Sequence, residues 1–307
     1  MSFKHLSVAA AALIVAGPAF AADLGKKKAP APAPVVVSPW DFTVGGGLTS
    51  NYLFRGISQS NNGISGNVNA EIRYTINPTW QLYVGSAASS IKLTNQASSP
   101  SVELDAIGGV RATVGAFTFD VGAIAYIYPY DVNEVGNRNQ TYTAGFWVTN
   151  PTWYEGYGKV SYAVNDALTL GVNAFYTQSF LDFGSSGQYY SGTAKYTIGD
   201  FALSGEFGRQ FLGRTDVAHD PSGAAHNLWK RDLPDYNYWN AGVSYSYKFA
   251  TLDLRYHATD LSKSECGNIT GKTNASALTT AAGSQSKYCG TAFVGTVSFA
   301  LSGKDLK

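Results

Sequence analysis

The chain has 307 residues, a formal net charge of +1, 14% charged and 14% aromatic residues, and no apolar run of eighteen residues. Near-neutrality gives no electrostatic grip on nucleic acid, and the missing run excludes a spanning helix, so entry into a membrane would require a barrel. A mean hydropathy of −0.09 fits that route, because half of each barrel strand faces water.

Residues 1–21, MSFKHLSVAAAALIVAGPAFA, have an early lysine, a short apolar stretch and the small-x-small site Ala19-Phe20-Ala21, which predicts a cleaved secretory signal peptide. Residues 22–39, ADLGKKKAPAPAPVVVSP, alternate proline and alanine behind three lysines, and predict an extended periplasmic linker. Its two readings are an arm that touches peptidoglycan and a passive spacer.

Residues 40–307 predict an outer-membrane barrel. The clearest strand is 65–76: Val68, Ala70, Ile72, Tyr74 and Ile76 are apolar, while Asn67, Asn69, Glu71, Arg73 and Thr75 between them are polar or charged. Full charges on one face would not suit a sandwich core, and they point to a wall between lipid and a wet lumen. The first strand, from Asp41, places Phe42, Val44, Leu48, Tyr52 and Phe54 on one face and Thr43, Gly45, Gly47, Asn51 and Arg55 on the other. A third strand starts at Trp80, and the fourth sets Glu103, Asp105 and Arg111 inward. The fifth carries Asp120 inward. Residues 141–150 alternate too, as an extension of the sixth strand (153–164) or a loop hairpin. The seventh follows from Leu168, the eighth turns Lys195 inward, and the ninth Glu206. The tenth spans 238–248, the eleventh puts Asp253, Arg255 and His257 inside, and the twelfth is 291–301.

The predicted fold is therefore all-β: a transmembrane antiparallel up-and-down β-barrel of about twelve strands. Short turns at Asn77-Pro78, Gly115-Ala116, Asn165-Asp166, Gly199-Asp200 and Phe249-Ala250 alternate with long polar links, as periplasmic turns and outer loops should. Aromatic residues gather at strand ends in two expected girdles. Phe42, Tyr74, Trp80, Phe117, Tyr162, Tyr196, Phe201 and Phe299 lie by the short turns, and Tyr52, Phe54, Tyr128, Tyr154, Tyr176 and Tyr256 by the long links.

The run Ser50, Asn51, Tyr52, Phe54, Arg55, Gly56, Ile57, Ser58, Gln59, within 49–74, resembles the opening hairpin of the TorF family of porins. The resemblance extends to the stretch around Tyr154-Glu155, the arm 164–176 and the strand-turn-strand near Gly199. It implies a single-chain outer-membrane barrel with a diffusion role and no catalytic residues. It does not cover the proline-alanine arm or 261–290.

The candidate pore-lining residues are Arg55, Glu71, Arg73, Glu103, Asp105, Arg111, Asp120, Lys195, Glu206, Asp253 and Arg255, with Glu155, Lys159 and Lys248 on the same polar side. They read either as a constriction that tunes passage of small polar solutes or as opposite charges that pair and plug a narrow lumen. Arg55 could meet solutes or lipopolysaccharide phosphate, or tie a loop to the barrel wall. The expected partners are outer-membrane lipid and lipopolysaccharide, small polar solutes and the barrel-assembly machinery, and no cofactor is called for.

Cys266 and Cys289, in the last long link of an exported chain, predict a disulfide worth about 3 kcal/mol. The scattered histidines and absent CxxC pair give no metal site; His219 and His226 read as loop residues. His257 has no serine motif aimed at it, so no enzyme is expected. The functional expectation is a passive diffusion channel. A closed structural or adhesion barrel acting through outer loops 212–235 and 260–290 is the alternative.

Overall fold

A computed structural model describes residues 38–92, 101–129, 152–182, 184–215, 232–270, 286–303 and 305. The leader, most of the proline-alanine arm, 93–100, 130–151 (with 141–150), 216–231 (with His219 and His226) and 271–285 lie outside the described residues.

Twelve antiparallel strands close into one barrel. They are β1 (Trp40–Thr49), β2 (Ser65–Thr75), β3 (Trp80–Ser90), β4 (Val102–Val114), β5 (Phe117–Ile127) and β6 (Trp153–Ala163). The second half is β7 (Leu168–Thr177), β8 (Gly187–Ile198), β9 (Phe201–Leu212), β10 (Tyr236–Tyr247), β11 (Ala250–Thr259) and β12 (Ala292–Ser302). Each strand pairs with its neighbours in the chain, and β1 closes on β12 in a register running from Thr43↔Ser302 to Thr49↔Thr296. Closure leaves no unpaired edge, which is what a strand structure needs in hydrocarbon.

Two of the short turns are built alike. Asn77 Oδ1 accepts from the amides of Thr79 (2.9 Å) and Trp80 (3.0 Å), and Asn165 Oδ1 from those of Ala167 (2.9 Å) and Leu168 (2.8 Å). An asparagine side chain here replaces a backbone turn bond. Gly115 and Gly199 turn with φ of 59° and 57°, where a glycine pays no steric cost.

The outer face is apolar around the circumference, with Val68, Val84, Val121, Val172, Leu203, Leu254 and Val297 all exposed. Such a surface suits lipid and would be anomalous on a water-soluble monomer. Placing a cation at Val172, near the middle of β7, is expected to show this directly. Val172→Arg should cost about 2–4 kcal/mol in urea titrations of the bilayer-inserted barrel. Asn69→Arg, on the water-reached inner face of β2, should cost far less.

The girdle at the short turns has the expected members, all outward-facing. At the other end three assignments change. Tyr154, Tyr176 and Tyr256 face outward, joined by Tyr190, Phe211 and Phe293, but Tyr52, Phe54 and Tyr128 turn into the barrel. The alternation of β1 stops at Thr49, so the phase carried to Tyr52 and Phe54 no longer holds. Lys248 lies in the turn after β10 at φ 52°, not on the inner wall.

Candidate functional site

After Thr49 the chain leaves the wall and folds into the lumen. Residues Leu53–Phe54 and Ile57–Ser58 form a small antiparallel hairpin with Arg55 and Gly56 at its tip. Short polar bonds fix its shape: Asn51 Oδ1 accepts from the hydroxyls of Ser58 (2.7 Å) and Ser60 (3.1 Å), and Gln59 N donates to Tyr52 O (2.7 Å). The wall and the last link brace it. Lys92 N donates to Gln59 O and Ser58 N donates to Tyr288 O, each at 2.8 Å.

The tip spans the lumen to the far wall. Arg55 makes a fork with Glu155 of β6, Nη1 to Oε1 at 2.9 Å and Nη2 to Oε2 at 2.7 Å, and Nη1 also donates to Gln210 Oε1 of β9 at 2.8 Å. Its guanidinium lies 4.3 to 5.0 Å from the ring centres of Tyr189, Phe54 and Phe175. Arg55, Glu155 and Gln210 are 8%, 1% and 0% exposed, so the pair is dry, and its charges are met by each other and by ring faces. Of the two readings of Arg55, the structure shows the tie to the wall, made to the side opposite its own strand.

The tip position demands glycine. Gly56 sits at φ 82°, and a Cβ there would overlap Thr259 Cγ2 and lie 2.8 Å from Tyr238 Cδ2. Around the hairpin, Tyr126 and Trp153 stack at 4.4 Å, with Phe54 and Phe180 packed edge-on against Trp153. Glu103 accepts from the hydroxyls of Tyr52 and Tyr128, each at 2.5 Å. Burial, then the nearby Glu103 carboxylate, push both hydroxyls well above the ordinary tyrosine range, so they stay donors at any working pH. Asp105 is buried beside Glu103, and its Oδ1 has no hydrogen-bond partner among the described residues.

A second support comes from the last link. Cys266, on a short helix α1 (Lys263–Thr270), is disulfide-bonded to Cys289. The bridge packs with Ile57 of the hairpin and with Tyr189, Tyr236 and Tyr238 of the wall. Thr259 donates its hydroxyl to Cys289 O, and Tyr288 donates to Asn61.

Toward the short turns the lumen holds charge networks. Glu71 takes a fork from Arg111 (2.9 and 2.8 Å), whose Nε donates to Asp120 Oδ2 at 3.1 Å. Tyr83 donates to Asp120 Oδ1 at 2.5 Å, contacts the Tyr157 hydroxyl, and carries the Arg111 guanidinium over its ring at 3.8 Å. Arg73 bonds Asp41 (2.9 Å) and Thr43 (2.6 Å). Across the lumen Arg255 bonds Asp253 (3.1 and 2.9 Å), Asn240 (2.6 Å) and Ser204 (2.7 Å), while Glu206 accepts from Tyr189 at 2.9 Å. Lys159 lies over the Tyr157 ring at 4.4 Å, and Lys195 is on the inner face of β8, half-buried. His257 Nδ1 bonds the Tyr238 hydroxyl at 2.9 Å.

The strand charges picked out from the sequence thus all turn inward, and most are paired rather than free. The aromatic fill of the lumen is what sequence reasoning missed. Its signal was there: Tyr157 falls in phase with Glu155 and Lys159, Tyr189 with Lys195, and Tyr83 lies between the outward Leu82 and Val84. Tyr83 and Tyr157 lie against Gly109 and Gly122 of a neighbouring strand, where a Cβ would come within 2.5 Å of each hydroxyl.

Residues 34–281 match the family model described as "Bacterial protein of unknown function (Gcw_chp)". The chain belongs to this family. The TorF label of the sequence resemblance is not part of that match. No curated protein matches the chain by sequence. Several solved barrels resemble it loosely. The NanC porin is 14% identical, with 85% of this chain and 100% of that one covered at a TM-score of 0.44. The KdgM porin is 8% identical, covering 84% and 98% at 0.41, and the P. putida toluene transporter TodX is 10% identical, covering 86% and 90% at 0.43. Nothing about the solutes of this Gcw_chp barrel follows from them.

Proposed function

We propose that this Gcw_chp chain is an outer-membrane channel for small polar solutes, with its extracellular half closed by the inward hairpin in the state described. The observation that carries the reading is the sorting of charge. Among the described strand residues, every Asp, Glu, Lys and Arg except Arg209 faces the lumen, although an apolar filling would seal a barrel at lower desolvation cost. Beside the short turns of β2 and β4 the inner wall is open to water, with Thr75 and Thr113 exposed inside, which supports a vestibule on that side of the barrel beneath the plug. The signal peptide and lipid-compatible belt support the outer membrane, with the short turns periplasmic. We propose no catalytic role, since His257 is engaged by Tyr238 rather than by a nucleophile.

The test is single-channel recording of the refolded full chain in a planar bilayer, with reversal potentials under a salt gradient. Wild type is expected to show rare openings. Their ion preference should shift toward cations in Arg73→Gln, because removing that guanidinium leaves Glu71 and Asp41 less compensated. A folded barrel that stays silent, and remains silent when residues 51–62 are deleted, would instead support a structural barrel acting through its outer loops.

A further inference from the structure

Arg209 of β9 breaks the charge sorting. It lies between the outward-facing Phe207 and Phe211, three residues before the end of the strand at the long links, and is paired in register with Tyr190 and Asn237. Its side chain is 44% exposed, on the lipid side of the wall and level with the aromatic girdle. A position at that height on that face is reached by lipid headgroups and not by solute in the lumen.

The guanidinium is held but not used up. It stacks 5.0 Å from the centre of the Phe211 ring, and Nη1 donates to Asn237 Oδ1 at 3.3 Å. Asn237 is itself fixed, its backbone N and Nδ2 donating to the two carboxylate oxygens of Asp260 at 2.7 and 2.6 Å, so its Oδ1 is left to face Arg209. Asp235 approaches only to 4.0 Å, and its other oxygen accepts from Leu212 N at 2.8 Å. Nε and the Nη2 protons have no hydrogen-bond partner among the described residues. Next to them on β8, the Tyr190 hydroxyl donates to Gln188 Oε1 at 3.0 Å, which adds neutral polar groups to the same patch.

A planar guanidinium pinned on a ring by one bond keeps a free edge, the geometry that takes phosphate oxygens as a fork. A lysine snorkelling to water would need none of this support. We propose that Arg209, oriented by Phe211 and Asn237, binds a phosphate of a membrane lipid headgroup. With the outer-membrane orientation proposed above, on which the identity of the leaflet rests, that lipid is the phosphorylated glycolipid of the outer leaflet, lipid A.

The experiment is native mass spectrometry of the detergent-purified full chain with diphosphorylated lipid A, dephosphorylated lipid A and inorganic phosphate. Arg209→Gln and Arg209→Lys are compared with Lys92→Gln, another cation at the long-link end. Heat-modifiable gel migration confirms that each variant is folded. Wild type and Lys92→Gln should retain diphosphorylated lipid A about tenfold better than Arg209→Gln, with Arg209→Lys between them. Dephosphorylation of the lipid should abolish the difference. Equal retention by Arg209→Gln, or equal binding of the dephosphorylated lipid, overturns the proposal, and displacement by inorganic phosphate at equal concentration would assign the site to the free ion. A failure of the outer-membrane reading would show separately, as absence of the protein from the outer-membrane fraction with lipid binding in detergent unchanged.

Discussion

Glu155→Ala is expected to lower the unfolding free energy of the barrel by about 3–5 kcal/mol and to raise its open probability in a bilayer. Removing one partner of a buried ion pair leaves the other charge without compensation, and that loss exceeds what the pair contributes against an apolar replacement. Here the stranded group would be Arg55, in a site whose other walls are aromatic rings and the single Gln210 amide. Its escape to water would draw the hairpin tip off β6, which links the stability loss to the conductance gain. Unfolding in urea, followed by the gel shift between folded and unfolded barrels, measures the first effect, and planar-bilayer recording the second. The double variant Arg55→Leu/Glu155→Leu should recover most of the stability, because no unpaired charge remains. A loss below about 1 kcal/mol in Glu155→Ala would mean that the pair is solvated, as exposed ion pairs are, and that the hairpin is not lodged as described.

The hairpin tip should be as sensitive to shape as to charge. Gly56→Val adds a branched side chain where even a Cβ overlaps Thr259 and approaches Tyr238 Cδ2 to 2.8 Å, at a φ of 82° that a branched residue avoids. Overpacking and strain together should cost about 3 kcal/mol, and the hairpin should unseat rather than the wall, since twelve closed ladders hold Thr259 and Tyr238 in place. The expected record is a barrel that still migrates as folded but conducts far more often than wild type. A variant that stays as closed as wild type would show that the plug seals without its tip being seated, and would move attention to the Tyr52–Glu103 and disulfide contacts.

The two predictions concern the part of the molecule least legible in the sequence. Along β2, the alternation of Val68, Ala70, Ile72 and Tyr74 with Asn67, Asn69, Glu71 and Arg73 sorts residues between lipid and lumen without reference to any other strand. The same holds at Glu103, Arg111, Asp120, Glu206 and Asp253, all assigned inward and found inward. The alternation ceases to sort residues at Ser50. There the strand ends, yet Tyr52 and Phe54 continue the apolar phase of Phe42 and Leu48, so a local pattern extends a strand that does not exist. Tyr128 misleads for a related reason: one residue past the end of β5, its direction is set by Glu103 on the neighbouring strand.

The sequence by itself determined an antiparallel barrel of about twelve strands and the inward face of the strand charges assigned above, because a membrane wall imposes a period of two on every segment that crosses it. The cysteine pairing followed from there being two cysteines in an exported chain. Only the tertiary structure decided that residues 50–64 fold inward, that Arg55 finds Glu155 a hundred positions away in the chain, and that the lumen charges meet as pairs. Those outcomes depend on which inward side chains face one another across the barrel. That is fixed by closure and register, which no single segment contains.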